Sequence, residues 1–159
     1  MRFLCDEMLG RLARLLRAAG HDAALAAPGA ADANLIDKAR GEGRMLLTRD
    51  RSLASAAGAN GLLVAGGTTE AQAAQVGAAF ALDWLASPFT RCLIDNTPLR
   101  PASAEEIAAM PASARTRPGP MNACPACGRL YWPGSHVKRL LEKLEALRLL
   151  AVPSRAPHA

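Results

Sequence analysis

The sequence predicts an α/β chain: a parallel sheet flanked by helices, then a small cysteine-bearing module and a C-terminal helix. Three observations predict it. Short apolar runs alternate with helix-period segments at the spacing of βα units through the first half of the 159 residues. Pro98, Pro101, Pro111, Pro118 and Pro120 break the second half into short pieces. Leucines then recur at helical spacing up to about Leu150.

Taken in order, Phe3-Leu4-Cys5 reads as a short buried strand ending at Asp6-Glu7. A helix follows over residues 8–19, with Leu9, Leu12, Leu15, Leu16 and Ala19 on its apolar face. Arg11, Arg14 and Arg17 read as a basic stripe on another face, and Gly20 as the C-cap. A second strand falls at 22–25, broken by Pro28-Gly29, and Asp32 opens a helix to about Gly41. Met45-Leu46-Leu47-Thr48 and the run 61–65 are compact enough for buried parallel strands. Arg49-Asp50-Arg51 begins a helix after the first of these, and a long helix is expected over 69–85. Beyond Pro88 a short helix fits 103–109, residues 115–120 read as an exposed loop, and Ser135 caps a last helix. Its apolar side carries Val137, Leu140, Leu141, Leu144 and Leu147, opposite Lys138, Arg139, Lys143 and Arg148. The domain reading is 1–86 for the α/β unit, 87–150 for the basic module with its helix, and 151–159 as a disordered tail.

No run of eighteen apolar residues exists to span a membrane. The N-terminus meets an acid within six residues, so a secretory signal is not expected and the expected compartment is the cytoplasm. The net charge of +5 is uneven: residues 1–86 hold nine basic and nine acidic side chains, residues 87–159 ten and five. A basic second half suits either a nucleic-acid-facing appendage or simply a soluble surface.

Two cysteines two residues apart in a tight turn, Cys124-Pro125-Ala126-Cys127-Gly128, present both sulfurs to one ion, the habit of structural Zn²⁺ sites. Cys92 can supply a third ligand, and Asp95 stands at the same two-residue gap from it. His136 competes with Asp95 for the fourth position, and a ribbon without metal is the alternative. Cys5, inside the first strand, reads as a buried, inert thiol.

Asp6 and Asp50 both follow strands, and Asp32 starts the helix between them. In an open parallel sheet ligands bind beyond the carboxyl ends of the strands. Carboxylates gathered there suit hard Mg²⁺ or Mn²⁺ ions, which support phosphodiester hydrolysis. Each acid alone could equally be a helix-start residue. Glu7 and Asp37 could join, although Asp37 lies about 140° around an ideal helix from Asp32. Tyr131, Trp132 and His136 follow the second knuckle: the aromatics can stack unpaired bases or pack a tiny module, and His136 can contact phosphate.

The stretch from Phe3 to Arg17, the segment Leu46-Leu47-Thr48-Arg49-Asp50-Arg51, and the segment from Cys124 to His136 together resemble the Mut-seven C-terminal RNase domain family. The resemblance implies a PIN-like nuclease fold followed by a zinc ribbon, with Asp6, Asp32 and Asp50 on the acidic site of a metal-dependent ribonuclease. The chain departs from the family pattern at Asp95, where a second cysteine of the first knuckle is typical. The expected function is hydrolysis of RNA, single-stranded in particular. Asp6, Asp32 and Asp50 would hold Mg²⁺ or Mn²⁺, Arg11, Arg14, Arg49 and Arg51 would steer phosphates, and a Zn²⁺ ribbon would aid RNA binding. The alternatives are a non-catalytic RNA-binding module and a toxin-like protein-interaction domain.

Overall fold

A computed structural model describes residues 1–150, and the tail expected over 151–159 lies outside the described residues. The first half runs β1 (Arg2–Cys5), a 3-10 turn (Glu7–Leu9), α1 (Gly10–Ala18), β2 (Asp22–Leu25), α2 (Asp32–Gly41) and β3 (Met45–Thr48), followed by α3 (Arg51–Ala57), β4 (Gly61–Leu63) and α4 (Thr69–Phe80). The four strands form one parallel sheet in the order β2-β1-β3-β4. Both faces are covered, as a parallel sheet requires. Phe3, Cys5 and Leu47 point into a core with Leu12, Leu16 and Val76, while Leu4 and Leu46 point to the other face, against Leu35 of α2 and Leu53 of α3. Period-two alternation within three-residue runs therefore places one strand in two cores.

The connection from β1 leads outward to β2, and that from β3 leads the opposite way to β4. The sheet thus changes winding direction between β1 and β3, and a crevice opens beyond their carboxyl ends. Asp6 and Asp50 follow these two strands.

The second half contains β5 (Arg100–Pro101), α5 (Ala104–Ala108), α6 (Ala112–Arg115), β6 (Asn122–Ala123), β7 (Leu130–Tyr131) and α7 (Ser135–Leu150). The strands β5-β6-β7 make a small antiparallel sheet. A reciprocal capping box of Ser103 and Glu106 starts α5. α7 returns to lie on α4, and Leu144 and Leu147 enter the same core as Phe3 and Leu47. Side chains from both sides of residue 86 therefore share one apolar interior.

Side chains occupy backbone groups at both edges of the parallel sheet. At β2, the Ala23 carbonyl accepts from Arg17 Nε at 2.7 Å and the Ala23 N–H donates to Asn96 Oδ1 at 3.0 Å. At β4, the Leu63 carbonyl accepts from Gln75 Nε2 and the Ala65 N–H donates to Gln75 Oε1, both at 2.8 Å. Each amide satisfies edge groups that another strand would otherwise claim.

Three expectations change. The helix expected to reach residue 85 stops at Phe80, because Ala81 takes a left-handed conformation (φ 48°) and turns the chain back. Trp84 then packs beneath Gly77, where a Cβ would stand 2.7 Å from the indole Nε1. Second, α6 and the three strands of the small sheet are elements beyond the short helix expected over 103–109, and the loop expected over 115–120 runs from the last residue of α6 toward β6. Third, Arg17 leaves the basic stripe: it is 5% exposed and donates through Nη1 to the carbonyls of Leu93 (3.2 Å) and Ile94 (2.7 Å) as well as through Nε to Ala23.

Replacing Arg17 by Leu strands these three carbonyls. A loss of about 2–4 kcal/mol of unfolding free energy is expected in urea titrations, against a near-zero change for Arg11→Leu at an exposed position of the same helix. Equal midpoints for the two variants would remove Arg17 from this role.

Candidate functional site

Three elements bring the acids together. Asp6 ends β1, Asp32 is the first residue of α2, and Asp50 caps α3 directly after β3. All three line one open cleft of about 220 Å³, together with Glu7, Met8 and Gly29. Asp37 is exposed and does not line it, as its place on the far side of α2 requires.

The carboxylates are held by local bonds. Asp6 Oδ1 accepts from the Glu7 N–H at 2.7 Å, and Oδ2 accepts from Thr48 Oγ1 at 2.8 Å. The Thr48 oxygen in turn accepts from the Asp50 N–H at 3.0 Å, and Asp50 Oδ1 accepts from the Leu53 N–H at 3.0 Å. Thr48 is fully buried, so its one hydroxyl couples the ends of β1 and β3 and sets the separation of two acids. Glu7 Oε2 accepts from the Gly29 N–H at 2.7 Å and pins the loop that leads to Asp32. Such outer partners fix ligand orientation. Sequence reasoning passed over Thr48; its position at the end of a buried strand, two residues before Asp50, was the available signal.

The second cluster is tighter. The ligand atoms of Cys92, Asp95, Cys124 and Cys127 all lie within 4.8 Å of one another. Cys92 Sγ and Cys127 Sγ are 3.7 Å apart, and Cys124 Sγ stands 3.3 and 3.5 Å from the two Asp95 oxygens. Ligands at about 2.3 Å (sulfur) and 2.1 Å (oxygen) from one tetrahedral zinc ion would be separated by about 3.8 and 3.6 Å, so the donor set fits such an ion. None of the cysteines is in a disulfide. The choice left open between Asp95 and His136 falls to Asp95, because His136 Nε2 is bonded to Arg14 Nη2 at 3.0 Å instead.

Crowding sets the protonation of this cluster. Desolvation pushes the Asp95 carboxyl up, but the Thr97 backbone N–H and the Cys127 and Cys124 thiols hold it well below the carboxylate range. The Cys127 thiol is pushed up to about 12: the Arg129 backbone N–H lowers it, and the Asp95 carboxylate, burial and the neighbouring thiols outweigh that contact. Thiol protons must therefore leave when a cation enters. Tyr131 belongs to the same cluster, since its phenol oxygen lies 3.1 Å from Cys92 Sγ and accepts from the Leu93 N–H at 3.0 Å. Cys5 is buried apart from both sites, and desolvation raises its thiol to about 12.

Arg11 and Arg14 line a neighbouring cleft on α1. Arg49 and Arg51 are exposed beside Asp50 but do not line the acid cleft. Trp132 and His136 line a further pocket with Arg14.

Two outcomes are expected. Thr48→Val, nearly isosteric but without the hydroxyl, weakens Mn²⁺ binding about 10- to 100-fold by paramagnetic titration; unchanged binding would mean that Thr48 does not set the acids. Zinc affinity in a chelator competition rises between about pH 6 and pH 8 as thiol protons are released, and Asp95→Cys raises it further at fixed pH. No gain from that substitution would exclude Asp95 as a ligand.

The Mut7-C RNAse domain family matches residues 1–144, a span that includes the three acids and all four residues of the cysteine cluster. Among curated proteins and solved structures there is no match. With 144 consecutive residues matched, the chain belongs to the Mut7-C RNAse domain family.

Proposed function

We propose that the protein is a metal-dependent ribonuclease that hydrolyses RNA phosphodiester bonds at Asp6, Asp32 and Asp50. The observation that carries this reading is that three carboxylates, from three elements, line one cleft where the sheet changes winding direction. The family description supports a nuclease role. All-oxygen donors suit Mg²⁺ or Mn²⁺, and such an ion, when bound, stabilises charge on the phosphoryl oxygens and acidifies a water for attack.

The chain's own residues do the rest. Thr48 fixes the Asp6 carboxylate, and the Leu53 N–H holds one oxygen of Asp50, whose other oxygen would serve as a ligand to the ion. Arg11 and Arg14, both exposed on α1, draw phosphates toward the cleft. Cys92, Asp95, Cys124 and Cys127 hold a structural Zn²⁺ that orders the ribbon for RNA binding. A reducing compartment such as the cytoplasm keeps those thiols available. Among the described residues no helix is long and apolar enough to cross a membrane.

Incubation of end-labelled single-stranded RNA with Mn²⁺ tests the reading. Wild type cleaves it, and the double variant Asp6→Asn, Asp50→Asn is slower by about 10³-fold, the several kcal/mol that a lost ion site removes. Equal rates would sink the catalytic assignment. Binding by a wild type that does not cut would leave an RNA-binding module.

A further inference from the structure

Three clefts adjoin one another through shared lining residues. The acid cleft shares Met8, which is 68% exposed, with a larger cleft of about 770 Å³ between α1, the start of α4 and α7. That cleft shares Arg14 with a pocket of about 300 Å³ where the second knuckle meets α6 and the first turn of α7. Arg14 stands on the divide: one of its N–H groups meets His136 Nε2 at 3.0 Å, and its guanidinium carries five N–H donors in all.

The chemistry of the pocket is uneven in a telling way. Trp132 and Ile94 give it apolar walls, Arg14, Arg117 and Arg129 give it charge, and no carboxylate is among its lining residues. An aromatic face beside arginines accepts a nucleobase together with its phosphate. The space is about that of one nucleotide, so the base can enter only unpaired. In the larger cleft the lining acid, Glu70, is matched by Lys143 at 2.7 Å, which leaves Arg11 and Arg14 in excess. The pocket is also built by the cysteine cluster: the Arg129 carbonyl accepts from the Cys124 N–H at 2.9 Å, and Trp132 directly follows Tyr131, whose phenol meets Cys92.

We propose that this pocket is an anchor subsite for one unpaired nucleotide of the RNA, with the base on Trp132 and the phosphate on Arg14, Arg117 and Arg129. The larger cleft carries the intervening phosphates from the anchor to the acids. This assignment rests on the reading of Asp6, Asp32 and Asp50 as the cutting site only for its direction, not for its binding.

Fluorescence anisotropy with the zinc-loaded full chain and a labelled single-stranded RNA of about 10 nucleotides, a length typical of single-strand grooves, tests it without added Mg²⁺ or Mn²⁺. Arg117→Gln with Arg129→Gln weakens binding about tenfold or more. It also lowers the slope of log affinity against log salt by about 1.4, since each single-strand phosphate contact contributes about 0.7. Trp132→Leu weakens binding about tenfold with the slope unchanged, the signature of a lost stack. Arg40→Gln, an exposed charge outside all three clefts, serves as the control. Pocket variants that bind like the control overturn the proposal, as does equal wild-type affinity for the same RNA as a duplex. Equal affinity for a poly-glutamate peptide overturns it in favour of an acidic protein partner. A wild type that binds as expected yet never cuts with Mn²⁺ keeps the anchor and removes the nuclease reading.

Discussion

Arg17 reaches from α1 to the carbonyls of Ala23, Leu93 and Ile94, and through them it joins the edge of the parallel sheet to the first half of the cysteine cluster. The surroundings are those that make such a group necessary. Desolvation lowers the guanidinium from its ordinary value, and the nearby Cys5, Cys92, Asp95 and Asp22 oppose that shift by favouring the charged form. A carbonyl at a sheet edge and two in a loop would otherwise be stranded in a poorly hydrated seam. Asp22 reinforces the same seam, accepting from Arg44 Nη1 and Asn96 Nδ2 at 2.6 Å each. Cys92 and Asp95 thus occupy their places because a helix of the α/β unit holds the backbone on which they sit.

That dependence gives the molecule its order of construction. The sheet fixes α1, α1 fixes the first knuckle through Arg17, and the first knuckle meets the second across the four ligand atoms. α7 then returns from the second knuckle to α4 and places Leu144 and Leu147 in the starting core. The acid cleft and the cysteine cluster share this frame while using different chemistry, hard oxygen donors in one and mainly thiols in the other.

Much of the first half was legible because its signals are local. The strands at 22–25 and 45–48 and the helix from Asp32 have the bounds that apolar runs and a turn at Pro28-Gly29 imply. The placement of Asp6 and Asp50 in one cleft was legible for a topological reason: whatever follows a parallel strand emerges at its carboxyl edge. Arg17 was misread because Arg11, Arg14 and Arg17 look like one stripe on paper. Each three-residue step falls short of a full turn by about 60°, so Arg17 lies about 120° from Arg11 and faces inward. The end of α4 was not legible because no Gly or Pro follows Phe80 within the expected helix over 69–85; the turn is made by Ala81 in a left-handed conformation, which brings Trp84 back onto Gly77. The strands β5, β6 and β7 are two residues each, too short for any period to show. Spacing pointed to Asp95 without excluding His136, and two long-range contacts separate them: the Asp95 carboxylate meets Cys124, while His136 meets Arg14.

The side-chain amides on the two outer strands carry a consequence for how copies of this protein meet. Arg17 and Asn96 occupy the carbonyl and N–H of Ala23 on β2, and Gln75 occupies the Leu63 carbonyl and the Ala65 N–H at the end of β4, so each margin of the parallel sheet is interrupted where a neighbouring chain would pair. Asn96 does so from a left-handed conformation (φ 72°) that few other residues adopt readily. A second copy that paired across these positions would first have to break these bonds, which opposes the edge-to-edge stacking that leads to fibrils. Side-by-side pairing through the parallel sheet is therefore disfavoured at both of its margins.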